Sequence, residues 1–383
     1  MDGGDDSAGK RERVTLRHVA GRAGVSVTTA SFVLSGRRDM RISEATVERV
    51  LQAARTLDYR RRLVPAGAPL PAGAPAVGLI SDVVATESFG GEMLRGSIAA
   101  ATDRGHVVLM ADSEGVDDLE VSAINALRSR GVERFVYATM GTITRSVPEA
   151  LRGEHLVLMN NLDPESPVTS VIPDDTGGGR AAVAALLEAG HSTAIWVVGR
   201  VLPHAYAGGR RLAGIKTALR KSGLRLAGHV QCGWWPDETR RAVTTLLEAG
   251  WWERERPTAV ITMNDRAAMG VYQAVTAAGL RVPQELSVVS FDNSDLARWL
   301  HPTLTSVDLP YFELGRRAVE LLFAEERPGR VHKLPMTVRS RESVAAPAVN
   351  AVPAANEVAG RFPTVRPSSD DTVAIFAAEI QGE

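Results

Sequence analysis

Between residues 76 and 325 the sequence alternates between short apolar runs and helical stretches. The apolar runs predict seven strands: AVGLI (76–80), HVVLMA (106–111), RFVYA (134–138), HLVLM (155–159), TAIWVVG (193–199), TAVITM (258–263) and LSVVSF (286–291). The helical stretches cover 91–104, 117–130, 178–189, 209–221, 236–249, 267–278 and 312–325. This alternation predicts parallel sheets with helices on both faces. It is too long for one small sheet, so we expect two α/β lobes.

The segments on either side of this body differ from it in composition. Residues 60–76, RRRLVPAGAPLPAGAPA, contain prolines at 65, 69, 71 and 75, which predicts an extended or turn-rich hinge. We expect residues 1–12 to be disordered and assign no role to a tail at 346–383. The predicted domains are therefore a head at 13–59, the hinge at 60–76 and the body at 77–345.

The head predicts three short helices that start from one pair of residue types. An apolar residue followed by a hydroxyl residue occurs at Val14-Thr15, Val25-Ser26 and Ile42-Ser43. The hydroxyl can cap the first turn while the apolar residue packs against the residue four positions beyond the cap. Gly24 permits the positive φ that ends the first helix, so the second can start at a steep angle. This pattern is typical of a helix-turn-helix.

The head is basic and the rest of the chain is acidic. Residues 10–62 contain 13 Lys or Arg and 5 Asp or Glu, a net charge of +8, although the whole chain has a net charge of −1. A basic head favours a polyanionic partner over a small protein-interaction module, the alternative for such a head. In a helix-turn-helix the second helix enters the DNA major groove. The candidate DNA contacts are Thr15, Arg17, Ser26, Val27, Thr28, Thr29, Ser31, Phe32, Arg37 and Arg38.

Several classes of function lack their sequence signatures. No apolar run is long enough to span a bilayer, and the acidic N-terminus does not resemble a signal peptide, so we expect a cytoplasmic protein. The chain contains one cysteine, Cys232, and eight scattered histidines, and we find no metal-ligand cluster. It also lacks a P-loop and a G-x-S-x-G elbow. We therefore expect neither an enzyme nor a cofactor or metal.

The head and body together resemble the LacI/GalR family of bacterial transcription regulators. The head has TLRHVAGRAGVSVTTASFVLSG, and similar body segments include VIPDDTGGGRAAVAALLEAGHSTAIWVVG and HPTLTSVDLP. The resemblance, from about 14 to 345, implies a periplasmic-binding-protein-like body with lobes at 76–173 plus 306–330 and 174–305 plus 331–345. It also implies a homodimer that binds a pseudo-palindromic operator on double-stranded DNA, more often as a repressor. A small effector, such as a sugar, would bind between the lobes.

The resemblance also suggests where the effector binds. The positions aligned with the family's ligand contacts are Phe89, Asn160, Asn161, Trp235, Asn264 and Asp292. Asn264 and Asp292 follow predicted strands, and open α/β sheets bind ligands at the carboxyl ends of their strands. Asp265 is better explained as a helix cap. The aligned position of a family arginine is Gly209, so we expect Arg210, or its neighbour Arg211, to supply a guanidinium.

Three further departures from the family leave alternatives open. The amides of Asn160 and Asn161 replace charged groups, so a regulator with lost or changed ligand control is an alternative, as is, with less support, a solute-binding protein. The prolines disfavour the family's hinge helix, and Leu63 and Leu70 are candidates for its minor-groove leucine. Phe32 replaces a frequent arginine. It either contacts thymine methyl groups or packs under the GRRDMR loop.

Overall fold

The head folds as three helices around a small apolar core. In this computed structural model the described residues are 16–34, 42–57, 73–84, 90–201, 206–324 and 328–348. Only the backbone is described for residues 16, 28, 31, 32, 44 and 55. The head helices are α1 (Leu16–Ala23), α2 (Val27–Leu34) and α3 (Glu44–Thr56). Their shared core contains Val19, Ala20, Ala23, Ala30, Val33, Val50, Ala53 and Ala54. The predicted three-helix head is confirmed.

Some predicted features lie outside the described residues. They are Thr15, Arg37, Arg38, Leu63, Leu70, Phe89, the segment 1–12 and most of the tail. The chain divides into two compact units, Met1–Ala68 and Pro69–Glu383, which correspond to the head and the body. In the described part of the chain, no helix combines the length and the apolar character that crossing a membrane requires.

The body is built from two six-stranded sheets. The strands are β1 (Ala76–Ser81), β2 (Val107–Asp112), β3 (Arg134–Thr144), β4 (His155–Leu162), β5 (Thr169–Pro173), β6 (Ile195–Val198), β7 (Gly228–Val230), β8 (Ala259–Thr262), β9 (Ser287–Asp292), β10 (Thr305–Asp308), β11 (Val331–Leu334) and β12 (Thr337–Arg339). The first lobe has the order β11-β5-β4-β3-β1-β2, and the second has β12-β10-β9-β8-β6-β7. Every pairing is parallel except β10 with β12. The predicted two parallel-sheet lobes are confirmed.

Helices cover the faces of both sheets. They are α4 (Gly90–Thr102), α5 (Asp117–Arg128), α6 (Asp175–Glu188), α7 (Tyr206–Lys221), α8 (Pro236–Glu248), α9 (Trp251–Glu255), α10 (Asp265–Ala277), α11 (Asp295–Trp299) and α12 (Tyr311–Leu322). The largest buried side chains include Phe135 and Tyr137 in the first lobe and Phe291 in the second. All seven predicted helical stretches of the body correspond to helices in the structure.

The chain crosses between the lobes at three places. The predicted boundaries place 306–308 in the first lobe and 331–334 in the second, and both placements are wrong. Strand β10 pairs with β9 of the second lobe, and β11 pairs with β5 of the first. The chain therefore crosses after β5, after β10 and after β11. The error arises because polar residues interrupt β5 (TSVIP), β10 (TSVD) and β11 (VHKL), so that these strands do not stand out as apolar runs.

A close helix contact brings one buried arginine to the cleft. Helices α6 and α7 pack so closely that a Cβ atom on Gly179 would lie 2.2 Å from the carbonyl oxygen of Arg211. Only a residue without a side chain permits this approach. It places Arg211 of α7 beside Asp175, the first residue of α6.

Candidate functional site

The turn between α1 and α2 has the geometry that a helix-turn-helix needs. Gly24 has φ +65°, a conformation that a side chain disfavours. The amide of Val25 donates to the carbonyl of Ala20 at 3.0 Å, and the amide of Gly24 donates to that of Gly21 at 3.3 Å. These two bonds form a Schellman cap, which ends α1 and redirects the chain. Only three residues, Gly24 to Ser26, therefore separate α1 from α2.

The first turn of α2 is capped and exposed. The Oγ atom of Ser26 accepts a hydrogen bond from the amide of Thr29 at 3.0 Å, as predicted for a hydroxyl cap. The hydroxyl of Thr29 lies 2.8 Å from the same Oγ atom. Val27 is 43% exposed, although most other aliphatic residues of the head are buried. Arg17 on α1 is also exposed. The start of α2 is therefore ordered by its cap and accessible to a partner.

In the second lobe, a buried arginine joins groups from four elements. The Nε atom of Arg211 donates to Asp175 Oδ1 at 2.9 Å, and its Nη1 atom donates to the carbonyl of Met263 at 2.5 Å. The same Nη1 atom lies 4.0 Å from Asp292 Oδ1. The guanidinium also stacks on Phe291, with Cζ 4.6 Å from the ring centroid. These contacts hold Arg211 rigidly at the carboxyl ends of β8 and β9.

Two carboxylates beside Arg211 retain unused acceptor capacity. The Oδ2 atom of Asp175 is buried and has no hydrogen-bond partner. Burial raises the pKa of Asp175 above its usual value, although Arg211 opposes that shift. Burial also raises the pKa of Asp292 to about 8, against the effect of Arg211. Buried oxygen atoms of this kind favour a ligand that donates hydrogen bonds.

The backbone at Asp292 adopts an unusual conformation. Asp292 has φ 103° and the following Asn293 has φ 52°, and both are positive in residues other than glycine. The amide of Asn293 is held by the hydroxyl of Ser306 at 2.9 Å. Strained backbone of this type occurs more often at binding sites than elsewhere. It directs the Asp292 side chain towards the space between the lobes.

Asn264 and Asp265 have roles that differ from the sequence prediction. Asn264 caps α10, because its Oδ1 atom accepts the amide of Ala267 at 2.8 Å. Asp265 is therefore not the cap, and that prediction is wrong. Its carboxylate accepts the amide and hydroxyl of Ser294 at 2.7 and 2.8 Å, and the hydroxyl of Ser306 at 2.7 Å. Asp265 thus ties α10 to the loop that carries Asp292.

A cavity opens between the lobes beside Asp292. It has a volume of about 570 Å³, which is within the usual range for small-molecule sites. Its lining comes from both lobes and from the crossings between them. The lining residues include Glu92, Asp292, Asn293, Ser294, Asp295, Arg298, Asp308, Tyr311, Phe312, Glu313, Thr337 and Arg339. Burial raises the pKa of Tyr311 far above its usual value, so its phenol is neutral.

The carboxyl end of β1 in the first lobe also carries a carboxylate. Asp82 follows β1 and accepts the amides of Val83 at 2.6 Å and Met140 at 3.0 Å. Burial raises the pKa of Asp82 to about 6, while those two backbone amides oppose the shift. Strand order reverses at β1, and open α/β sheets bind ligands at such switch points.

Asn160 and Asn161 use their amide groups inside the first lobe. The Oδ1 atom of Asn160 accepts the hydroxyl of Thr142 at 2.7 Å, and its Nδ2 atom donates to the carbonyl of Met140 at 2.8 Å. Asn161 bonds both the amide and the carbonyl of Arg145 at 3.1 Å. Both side chains are buried, so they join β3 to β4 and are not available to a ligand. We therefore omit both residues from the proposed site.

Arg210 and Trp235 lie outside the Arg211 cluster, and in each case the adjacent residue in the sequence, Arg211 or Trp234, occupies the expected position. Arg210 is exposed, and its guanidinium lies 4.8 Å from the ring of Tyr206. Arg211 takes the buried position instead. The ring beside Arg211 belongs to Trp234, at 5.7 Å, whereas Trp235 stacks with Arg266 at 4.4 Å. Arg210 therefore does not supply the guanidinium at this cluster, and its selection over Arg211 was wrong.

Asp175, Arg211, Trp234 and Tyr311 lie at this cluster but are not among the site residues selected from the sequence, where Arg211 is only the alternative to Arg210. Two signals could have identified the first two. Asp175 follows β5, whose five residues were not recognised as a strand. Arg211 lies four positions before Ile215 and eight before Leu219, which places it on the buried face of α7. Phe32 lies in α2, and its two alternatives stay open because its side chain is outside the described part.

Comparisons with known proteins agree with this architecture. The family described as bacterial regulatory proteins, lacI family, matches residues 15–62, and a periplasmic binding protein-like domain matches residues 183–344. The sucrose operon repressor of Shigella flexneri is 31% identical over 331 residues, which cover 84% of this chain and 97% of the repressor.

Solved structures show the same similarity. A LacI-family transcriptional regulator from Rhizobium etli has a TM-score of 0.63 and 28% identity, over 70% of this chain and 99% of that one. The transcriptional regulator CelR in complex with cellobiose has a TM-score of 0.59 and 26% identity, over 86% of this chain and 100% of that one.

Proposed function

This chain belongs to the LacI family of bacterial regulatory proteins, and from that membership we propose that it represses transcription from an operator under the control of a small molecule. The head binds the DNA, and the body binds the effector between its lobes. The relatives with assigned names are repressors and regulators, so the proposal includes no catalytic step. A regulator that binds the bacterial chromosome acts in the cytoplasm.

The observation that carries the DNA-binding half is the Schellman turn at Gly24. It places the capped and exposed start of α2 directly after α1. In helix-turn-helix proteins the first residues of this second helix approach base edges. We assign Ser26 and Val27 to that contact, together with Thr28, Thr29 and Ser31 on the same helix. Arg17 is placed to contact the phosphate backbone.

DNA retention followed by sequencing tests this half. The full chain is incubated with genomic fragments, and the retained fragments are sequenced. We expect an inverted repeat, because a homodimer presents two copies of α2. Binding should weaken steeply between roughly 50 and 200 mM salt, since basic side chains displace counterions. Affinity that does not change with salt, or retained fragments without a shared sequence, would contradict the proposal.

The effector half rests on the polar cluster around Arg211. Asp175 has an unsatisfied buried oxygen atom, and Asp292 lines the interlobe cavity. Hydroxyl groups of a sugar or sugar-like compound can donate to both carboxylates. We propose Asp175, Arg211, Asn264 and Asp292 as the polar core of the effector site. Trp234 supplies an adjacent aromatic surface.

Replacement of Asp292 tests the effector half. Asp292→Ala should abolish the effect of ligands on operator affinity while the affinity without ligand stays within about twofold of wild type. Asp237→Ala, an exposed position on α8, is the matched control and should respond normally. An unchanged response in Asp292→Ala would remove this residue from the site. A wild-type protein that responds to no compound would favour the alternative of a regulator without ligand control.

The first lobe also has a surface suited to the homodimer. Strand β2 is the edge of its sheet, and all six of its residues are only half-buried. Helix α5 lies beside it and exposes Leu119 and Val121, at 52% and 44%. An exposed edge strand next to exposed apolar side chains is typical of an association surface. We propose that this surface contributes to the dimer contact.

A further inference from the structure

We propose that the interlobe cavity excludes anions, so that the effector is an uncharged polyhydroxylated compound and its phosphate esters do not bind. The inference rests on the proposed function, because it defines the ligand class of the same cavity. It depends on the charges that line the cavity and on the availability of each charged group to a ligand.

The described lining of the cavity has more carboxylates than guanidinium groups. The five carboxylates belong to Glu92, Asp292, Asp295, Asp308 and Glu313, and the two guanidinium groups to Arg298 and Arg339. The formal excess is three negative charges, or two when Asp292 is protonated. Glu92 is also paired with Arg95, next to the lining. A phosphate dianion in this cavity would therefore be opposed mainly by Glu313, and by Asp292 when that residue is ionised.

Both guanidinium groups of the lining are already paired with carboxylates. Arg339 donates through Nε and Nη2 to Asp308 Oδ2, at 3.1 and 2.9 Å. Arg298 also forms an ion pair, donating from its Nη2 atom to Asp295 Oδ1. The other oxygen of Asp308 accepts the side-chain amide of Asn293 at 3.1 Å. A phosphate group that approaches either arginine would therefore also approach the carboxylate paired with it.

The deeper arginine is also unavailable to an anion. Arg211 is only 3% exposed and lies between the rings of Phe291 and Trp234. Its Nε atom is committed to Asp175 and its Nη1 atom to the carbonyl of Met263. Moving it towards a phosphate would leave Asp175 buried and unpaired, which is strongly unfavourable. The nearby Arg266 is stacked on Trp235.

The same groups suit an uncharged ligand with several hydroxyls. A carboxylate only accepts hydrogen bonds, and each sugar hydroxyl can donate one. The carboxyl of Asp292 is an acceptor on the cavity wall, and the free oxygen of Asp175 is a second acceptor buried behind it at the Arg211 cluster. Glu313, at the start of α12, adds an exposed carboxylate at the rim. Chemical complementarity therefore selects hydroxyl donors and rejects phosphate.

Titration calorimetry on the full chain tests this inference. The probes are glucose, ribose, sucrose and cellobiose, each beside its phosphate monoester, and every pair is also tested for its effect on operator affinity. We expect at least one neutral sugar to bind and its phosphate to bind roughly 100-fold more weakly. This difference in affinity should become smaller as the salt concentration is raised, because salt screens the repulsion between the phosphate and the carboxylates of the cavity.

A charge variant separates electrostatic exclusion from a simple lack of space. Glu313→Gln should lower the ratio between the dissociation constant of a sugar phosphate and that of its parent sugar by about fivefold. Glu248→Gln, at the exposed end of α8 and outside the cavity, is the control and should leave this ratio of dissociation constants unchanged. If neither salt nor Glu313→Gln changes the difference in affinity between a sugar and its phosphate, the phosphate is excluded by lack of space, and the inference is overturned.

The remaining outcomes distinguish this inference from the proposed function. A phosphate that binds as tightly as its parent sugar, and changes operator affinity, would overturn anion exclusion but support the effector-controlled regulator. A panel in which no neutral sugar and no phosphate binds would overturn both the ligand class and the effector half of the proposed function.

Discussion

Arg211 Nε donates to Asp175 Oδ1 at 2.9 Å, while the second carboxylate oxygen of Asp175 has no hydrogen-bond partner. The ion pair is almost completely buried, with side-chain exposures of 3% and 0%. The pair therefore holds two opposite charges inside the second lobe and leaves one buried acceptor of Asp175 without a partner. A buried polar atom without a partner is unusual in a purely structural ion pair.

The first prediction concerns the stability of this pair. Arg211→Ala should lower the free energy of unfolding by about 3–5 kcal/mol, because it leaves the Asp175 carboxylate buried without a counter-charge. Arg210→Ala is the control, and at this exposed position the change should be about 0.5 kcal/mol or less. All six tryptophans lie between residues 196 and 299, so their fluorescence in urea reports on the second lobe. Equal effects of the two variants would contradict the buried placement of Arg211.

The second prediction concerns the turn in the head. Gly24→Ala should destabilise the head by about 1 kcal/mol, because alanine is strained at φ +65°. Gly21→Ala is the control. Gly21 lies inside α1 with open space around it, so alanine there should stabilise the helix by up to about 1 kcal/mol. Amide hydrogen exchange of α1 in the full chain measures both effects. Changes of the same sign would argue against the Schellman turn.

The third prediction concerns pH. The folded-state pKa of Asp292 is about 8, above the value of 3.8 for an unperturbed aspartate. Between these values the folded state holds a proton that the unfolded state releases, so this residue makes stability fall as pH rises, by up to about 1.4 kcal/mol per pH unit. Asp292→Asn removes that contribution. The stability gained by the variant should therefore grow from pH 4 to pH 8 and then level off.

Urea unfolding of the wild type and Asp292→Asn at each pH measures this difference directly. If the gain in Asp292→Asn were constant with pH, Asp292 would be ionised throughout and its burial would not govern its charge.

The fourth prediction concerns association of the first lobe. Leu119→Glu should weaken the homodimer at least about tenfold, because it places a charge in an apolar contact on α5. Ala227→Glu, at an exposed position before β7, introduces the same charge elsewhere and should not affect association. Sedimentation velocity over a range of protein concentrations measures both. A dimer of normal strength in Leu119→Glu would place the interface on another surface.

Local sequence patterns were sufficient for the head and for most of the body. The three capped helices follow from hydroxyl residues, glycine and helical spacing, which act over a few residues. Seven strands follow from continuous apolar runs, including β6 and β8 with only four residues each. The five strands that the sequence did not reveal lack such runs, and β11 and β12 are only partly buried. Their pairing depends on the neighbouring strand, which lies far away in the chain.

The candidate site was only partly predictable for a related reason. The sequence suggests Asp292 and Asn264 because both follow recognisable apolar strands; Asp292 lines the cavity, whereas Asn264 caps α10. Asn160 and Asn161 satisfy the same rule, but the structure pairs their amides with β3 and the following loop. Whether a polar group at a strand end is free depends on which backbone groups the fold brings beside it.

The sequence alone determined the family architecture: a basic, capped helical head, a proline-rich hinge and an alternating α/β body. These properties arise from local propensity, periodicity and charge, which the chain carries whether or not it is folded. The tertiary structure decided which member of an adjacent pair is buried beside Asp292. Arg211 is buried there rather than Arg210, because a rotation of about 100° per residue separates neighbours on α7 and the Gly179 contact draws one face of that helix against α6.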